Sequence, residues 1–215
     1  MAAATGEAGR DELDPELLAL PDPPHRARTF TVAVLILASI AALSMVVTLR
    51  HDVTYAFRDA TPLDVGDLRT VDDAALASAE NRYVRAEGLI GATGIRYERP
   101  FVEDTFRTVL VAGRGDLWVD VRVPAGQESG RWQPPSTFAG RLVRLGAAGP
   151  RHRGLAGAIE ENAHLGSARA IGRAWLLIDG EQPESARWSV VLAVMFLGFA
   201  AWNFGAVARI LRKVK

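Results

Sequence analysis

Two uncharged runs constrain this chain more than any other feature. Phe30 to Leu49 reads FTVAVLILASIAALSMVVTL, and Trp188 to Val207 reads WSVVLAVMFLGFAAWNFGAV; each is twenty residues long. At about 1.5 Å per residue, a helix of that length covers the roughly 30 Å hydrocarbon core of a bilayer. Backbone groups in lipid must be bonded within their own segment, so both runs are expected to be helices. A buried core helix of a soluble protein could account for one such run, but accounts poorly for two placed at opposite ends of the chain. Cleavage of the first run as a signal sequence is not expected. Its leading segment is 29 residues long and mostly acidic. The run also exceeds the usual h-region of about 7–15 residues, and no small-x-small site follows in VVTLRHDV.

Charge then sets an orientation. Arg26 and Arg28 precede the first run beside His25, and Arg209, Arg212, Lys213 and Lys215 follow the second without an acid among them. The segment after the first run carries Arg50, Arg58 and Arg69 against Asp52, Asp59, Asp64, Asp67, Asp72, Asp73 and Glu80. Basic flanks stay on the cytoplasmic side. The expectation is a multi-pass protein of a bacterial inner membrane, with both termini cytoplasmic and the middle of the chain in the periplasm. Trp188 falls where an outer aromatic belt belongs. The implied organisation is a disordered acidic cytoplasmic tail at 1–29, a first membrane helix at 30–49, and a linker with a short helix at 50–81. A β-rich outer domain at 82–187, a second membrane helix at 188–208 and a basic cytoplasmic tail at 209–215 follow.

Between the spans, short strand signals recur. Arg82 to Ile90 reads RYVRAEGLI, Gly91 to Gly94 looks like a turn, and Ile95 to Tyr97 resumes the strand. Phe106 to Val111 is another candidate. In Leu117 to Val123, the aliphatics Leu117, Val119, Val121 and Val123 alternate with Trp118, Asp120 and Arg122, which predicts a buried face with period two. Gly113 to Asp116 would be the hairpin turn before it. Thr137 to Leu145 is a further strand, with Gly140 at a bulge or bend. Ala174 to Ile178 is the last, closed by Asp179-Gly180. Ala74 to Ala79 and Gly154 to Ala163 read as short helices. The fold class is therefore membrane α plus β: two transmembrane helices flanking a small, mainly-β barrel or rolled sheet. An oligonucleotide/oligosaccharide-binding-like barrel is one candidate topology.

The search for chemistry yields little. With 25 basic and 25 acidic residues, no net field favours nucleic acid. The absence of cysteine removes disulfides, thiolate metal sites and cysteine nucleophiles. Glu161 and His164 have an E-x-x-H spacing, but a di-metal site needs a second such pair and further carboxylates. No nucleophile elbow, P-loop or dinucleotide fingerprint occurs. No catalytic, metal or cofactor residue is assigned, and no cofactor is expected.

The remaining candidates are contact residues. Gly198, Ala201, Gly205 and Ala208 form one small-residue stripe on the second span, suited to helix pairing within the chain or between copies. Asn203, the one strongly polar residue in either span, should hydrogen-bond within the helix bundle. Arg151, His152 and Arg153 form a basic knot in sequence near Arg141 and Arg144, read as a solvated loop able to meet lipid headgroups or an acidic partner. Trp118, Trp132 and Phe138 are candidate exposed or rim aromatics. The expected partners are the lipid bilayer and a membrane protein or a second copy, met through the membrane helices.

The span–β-domain–span layout, with the R-Y-V-R-x-E-G strand start at Arg82 to Gly88, resembles that of the Surfeit-type oxidase assembly proteins. The resemblance implies an assembly role and carries no site residue. The expectation is thus a non-enzymatic membrane protein displaying an outer β-domain, a scaffold or assembly partner of an envelope complex. The alternatives are a signalling sensor with a ligand-binding outer domain, or an enzyme acting on lipid or cell wall.

Overall fold

The computed structural model describes residues 25–98, 104–125, 133–149, 152, 154–161 and 173–212. The acidic segment before residue 25 lies outside them. Two helices, α1 (His25–Ala56) and α4 (Arg187–Arg212), are long and apolar enough to cross a membrane. They pack side by side, and the end of α1 and the start of α4 line one pocket, so they run antiparallel. Small side chains allow the close approach. Ser39, Ala42 and Leu49 are buried on α1, and Ser189, Ala193, Ala200 and Asn203 on α4. The other sides of both helices are apolar and exposed, as at Phe30, Leu37, Val194, Met195 and Trp202.

Helix α1 does not stop where its apolar run stops. It continues through Arg50 to Ala56, seven residues or roughly 10 Å beyond Leu49. The expected linker at 50–81 is therefore structured at its start, and more follows. Strand β1 spans Leu63–Asp67, and helix α2 spans Asp73–Ser78. Asp72 caps α2 by accepting a hydrogen bond from Ala75 N at 2.6 Å. β1 escapes sequence reading because it has no fully buried side chain to create an alternation.

The remaining elements are β2 (Arg82–Glu87), β3 (Ile90–Glu98), β4 (Thr105–Val111), β5 (Leu117–Val123), β6 (Thr137–Arg144), α3 (Leu155–Glu161) and β7 (Trp175–Asp179). Short 3-10 turns at Leu145–Ala147 and Pro183–Ala186 follow β6 and precede α4. The sheet is mixed, in the order β1-β2-β6-β7-β5-β4-β3, with β1–β2 and β5–β7 parallel and the other neighbours antiparallel. Only Gly88 and Leu89 join β2 to β3, although four strands separate them in the sheet. Two linking residues reach at most about 11 Å, so the sheet must curl until its ends approach. The result is a seven-stranded half-barrel, not the five-stranded oligonucleotide-binding type of barrel.

Gly91 to Gly94 is part of β3 and not the expected turn. The glycines mark a register irregularity between Ile90 and Gly94, where a Cβ on Gly94 would come within 2.6 Å of Thr108 O. Gly140 has a similar role on β6: a Cβ there would lie 1.9 Å from Ile178 O on β7. Both glycines admit the close approach of a neighbouring backbone.

The sheet is buried on both faces. Leu76, Val84, Leu117, Val119, Val121, Phe138, Leu142, Trp175 and Leu177 pack on the concave side. Trp118, Val143, Leu145, Leu155, Ile159, Leu176 and Ile178 pack on the other, against α3 and its flanking turn. The four alternating aliphatics of β5 are buried as their spacing predicts. Trp118 and Phe138, expected to be exposed or rim aromatics, are 3% and 0% exposed: Phe138 faces the concave core, and Trp118 lies on the second face, which is covered too.

Candidate functional site

The convex face carries charge where apolar packing is the rule. Register aligns one residue from each of six strands in a single row: Ile95, Thr108, Asp120, Ile178, Arg141 and Tyr83. Asp120 and Arg141 are each 1% exposed. With β7 between their strands they stand about 10 Å apart, too far for direct pairing. Each therefore needs its own counter-group, because an unpaired buried charge costs several kcal/mol.

Arg141 finds its partners on α1 and on the segments that flank the sheet. Its Nη1 donates to Asp52 Oδ1 at 2.7 Å and to Glu181 Oε1 at 3.4 Å. Its Nε and Nη2 donate to Asn81 Oδ1 at 2.9 and 2.7 Å. The ring of Tyr55 lies 4.5 Å from the guanidinium carbon, a cation–π distance. Tyr55 in turn donates its hydroxyl to Glu181 O at 2.5 Å.

Asn81 is the second node of this junction. Its backbone has a φ of 56°, in the left-handed region that asparagine tolerates better than most residues. In that conformation Asn81 N donates to Leu142 O on β6 at 2.7 Å. Its Nδ2 donates to His51 O at 3.1 Å and to Thr54 Oγ1 at 3.0 Å, both on α1. These partners fix the amide orientation, since only the oxygen can accept from Arg141. The last turns of α1 are thus bonded into the sheet at four residues, His51, Asp52, Thr54 and Tyr55. A small pocket of about 10 Å³ beside Asp52, Arg141, Glu181, His152 and Trp188 leaves room for no more than one water.

Asp120 is served from the other direction. Tyr97 donates its hydroxyl to Asp120 Oδ2 at 2.6 Å, and Thr108 donates to Oδ1 at 3.1 Å. His152 Nε2 lies 3.5 Å from Asp120 Oδ2. His152 Nδ1 lies 3.0 Å from Ala148 O; a carbonyl only accepts, so Nδ1 carries the hydrogen. Nearby, burial holds the Asp179 carboxyl above the usual carboxylate range and the charge of Asp120 adds to the effect, while the N–H groups of Ala139 and Gly180 act against it. Among the described residues, no three histidine, aspartate or glutamate side chains converge as a metal site would require.

Several contact residues fall elsewhere than their spacing suggests. His152 is 5% exposed and bonded to the sheet, where a solvated basic loop was expected. Arg151, Arg153 and Trp132 lie outside the described residues. Gly198, Ala201, Gly205 and Ala208 form an exposed stripe on α4, and a Cβ on Gly198 or Gly205 would meet nothing within 4 Å. Pairing within the chain uses Ser189, Ala193, Ala200 and Asn203 instead. Asn203 is 3% exposed, yet among the described residues its Nδ2 has no acceptor. In the sequence, Asp120 reads as a polar position on a half-exposed strand and Arg141 as a neighbour of the basic knot, and neither spacing marks a buried charge. For Arg141 a signal existed: Ala139 and Val143, its neighbours on the same face, are apolar, and so are Phe138 and Leu142 on the other. No family model, curated protein or solved structure matches this chain.

Proposed function

We propose that this chain is a two-pass inner-membrane protein, with both termini cytoplasmic, that holds its half-barrel outside the membrane as a scaffold or assembly partner of an envelope complex. The observation that carries this reading is the junction at Arg141. A domain on a flexible tether needs no buried ion cluster at its root. Here α1 enters the domain as a continuous helix, and Asp52, Tyr55, Asn81 and Glu181 converge on one guanidinium. Such a root fixes the height and angle of the domain above the bilayer, as a docking platform requires. The exposed apolar sides of both helices support membrane insertion, since large exposed apolar patches are rare on soluble proteins. The basic ends of the chain support the orientation. The Surfeit-type layout agrees with an assembly role.

Two experiments test this reading. A reporter fused after Lys215 is expected to remain cytoplasmic; its export would overturn the orientation. A photo-crosslinker at Ala201, on the exposed stripe of α4, is expected to capture a defined membrane protein in the native membrane. Adducts with lipid alone would remove the scaffold reading. A sensor with a ligand-binding outer domain is the second reading, and a cavity of about 210 Å³ lined by Ile95, Tyr97, His152, Gly154, Leu155 and Ala158 favours it.

A further inference from the structure

Helix α3 covers the convex face with two side chains one turn apart. Leu155 and Ile159 are 7% and 0% exposed and pack with Trp118, Leu176 and Ile178. Towards the edge strand β3 the cover is thinner. Ile95 and Tyr97, two positions apart and so on the same face of β3, are only partly buried against that cluster. The helix offers Ala158 on that side, and a methyl group does not fill the gap. A cavity of about 210 Å³ remains, lined by Ile95, Tyr97, Leu155 and Ala158 together with His152 and Gly154.

The polar side chains on this cavity are engaged within the protein. Tyr97 donates its hydroxyl to Asp120 Oδ2 at 2.6 Å. His152 is held between Ala148 O at 3.0 Å and Asp120 Oδ2 at 3.5 Å. A polar ligand head would have to disturb the bonds of the buried Asp120 or give up its own hydration without return, and either costs affinity. A hydrocarbon loses nothing there and gains burial. A dry cavity of about 150 Å³ accommodates benzene, so one of about 210 Å³ suits a single ring with a two-carbon substituent. We propose that this cavity binds a hydrocarbon group of single-ring size that carries no polar atom into the site. His152 also lines the small pocket beside Asp52 and Trp188, so the cavity lies one side chain away from the end of α1 and the start of α4. The hydrocarbon therefore has two sources, a free small molecule or the acyl chain of a lipid. The site itself stands apart from the scaffold reading, because its residues all belong to the half-barrel and its cover; only the lipid source rests on membrane insertion.

The test is methyl-resolved NMR of the full chain in nanodiscs, titrated with ethylbenzene. The methyl signals of Ile95, Leu155 and Ala158 are expected to shift saturably. Exposed methyl groups on the membrane helices, such as those of Leu37 and Val194, should report partition into lipid by changing without saturation. Ala158→Phe fills the cavity and should abolish the saturable shifts at Ile95 and Leu155. 2-Phenylethanol has the same shape with one hydroxyl, and should bind about tenfold more weakly or worse when referred to its free aqueous concentration. That comparison uses the wild type alone, so it stands even if Ala158→Phe folds poorly. Before any probe is added, cross-relaxation between the Leu155 methyls and acyl-chain protons, lost with chain-deuterated lipid, would identify a lipid chain as the occupant; saturable ethylbenzene binding without it would identify a free small molecule. No saturable shift up to the solubility limit of ethylbenzene would overturn the proposal. So would the same saturable shifts in a folded Ala158→Phe, or equal or tighter binding of 2-phenylethanol.

Discussion

Replacing Arg141 by methionine removes the charge at the centre of the junction while keeping most of the volume. The Nη1–Asp52 contact at 2.7 Å represents about 6 kcal/mol of gross attraction at an effective dielectric near 20. Desolvation of the two ions offsets most of that, so the intact pair adds little net stability. The broken pair is different. Arg141→Met leaves Asp52, with a side chain 10% exposed, as a buried carboxylate without its cation, and deprives Asn81 Oδ1 of both donors. The expected loss is about 3–5 kcal/mol, a large share of the roughly 5–15 kcal/mol that stabilises a typical domain. Asp52→Leu/Arg141→Met should recover most of it, because Glu181 is partly exposed and can turn towards water. The assay is urea unfolding of the half-barrel in nanodiscs, followed by fluorescence of the buried Trp118 and Trp175. A single-mutant loss below about 1 kcal/mol, or a double mutant as unstable as the single, would refute the argument from an uncompensated charge.

Three further outcomes are expected. Gly140→Ala places a methyl group against Ile178 O and must spread β6 from β7, so a loss of at least about 3 kcal/mol should appear in the same unfolding assay. Asp179 has its carboxyl pKa raised on folding, mainly by burial, so the native state holds its proton more tightly than the unfolded chain. Its contribution to stability is therefore greatest below the ordinary carboxylate range and falls as pH rises through the raised value. Asp179→Asn keeps an acceptor for Ala139 N, so it should flatten that pH dependence and raise the neutral-pH melting temperature; an unchanged profile would count against the burial argument. Asn203→Leu removes an amide whose Nδ2 has no acceptor among the described residues, so thermal unfolding of the single chain should be unchanged or shifted upward. A marked loss would mean that the amide is bonded by something outside the chain.

The amino-acid sequence by itself determined the elements whose signal is local. Two uncharged twenty-residue runs became α1 and α4. The alternation Leu117, Val119, Val121, Val123 became β5 with those four side chains buried. Period and length are properties of a segment alone, so they survive without knowledge of its neighbours. What a segment is packed against is not such a property. The strand β1 depends on an edge offered by β2, and the glycines of β3 read as a turn until β4 supplies a ladder for them. Trp118 reads as exposed until a second layer covers it. Arg141 and Asp120 lie 21 positions apart in the chain, yet they share one row because β7 arrives between β5 and β6 from a distant part of it. Only the tertiary structure decides that Arg141 meets Asp52 across 89 positions, and that the helix carrying Asp52 therefore runs on into the domain. A buried charge is tolerated only when a partner is delivered to it, and delivery depends on topology, which no local window contains.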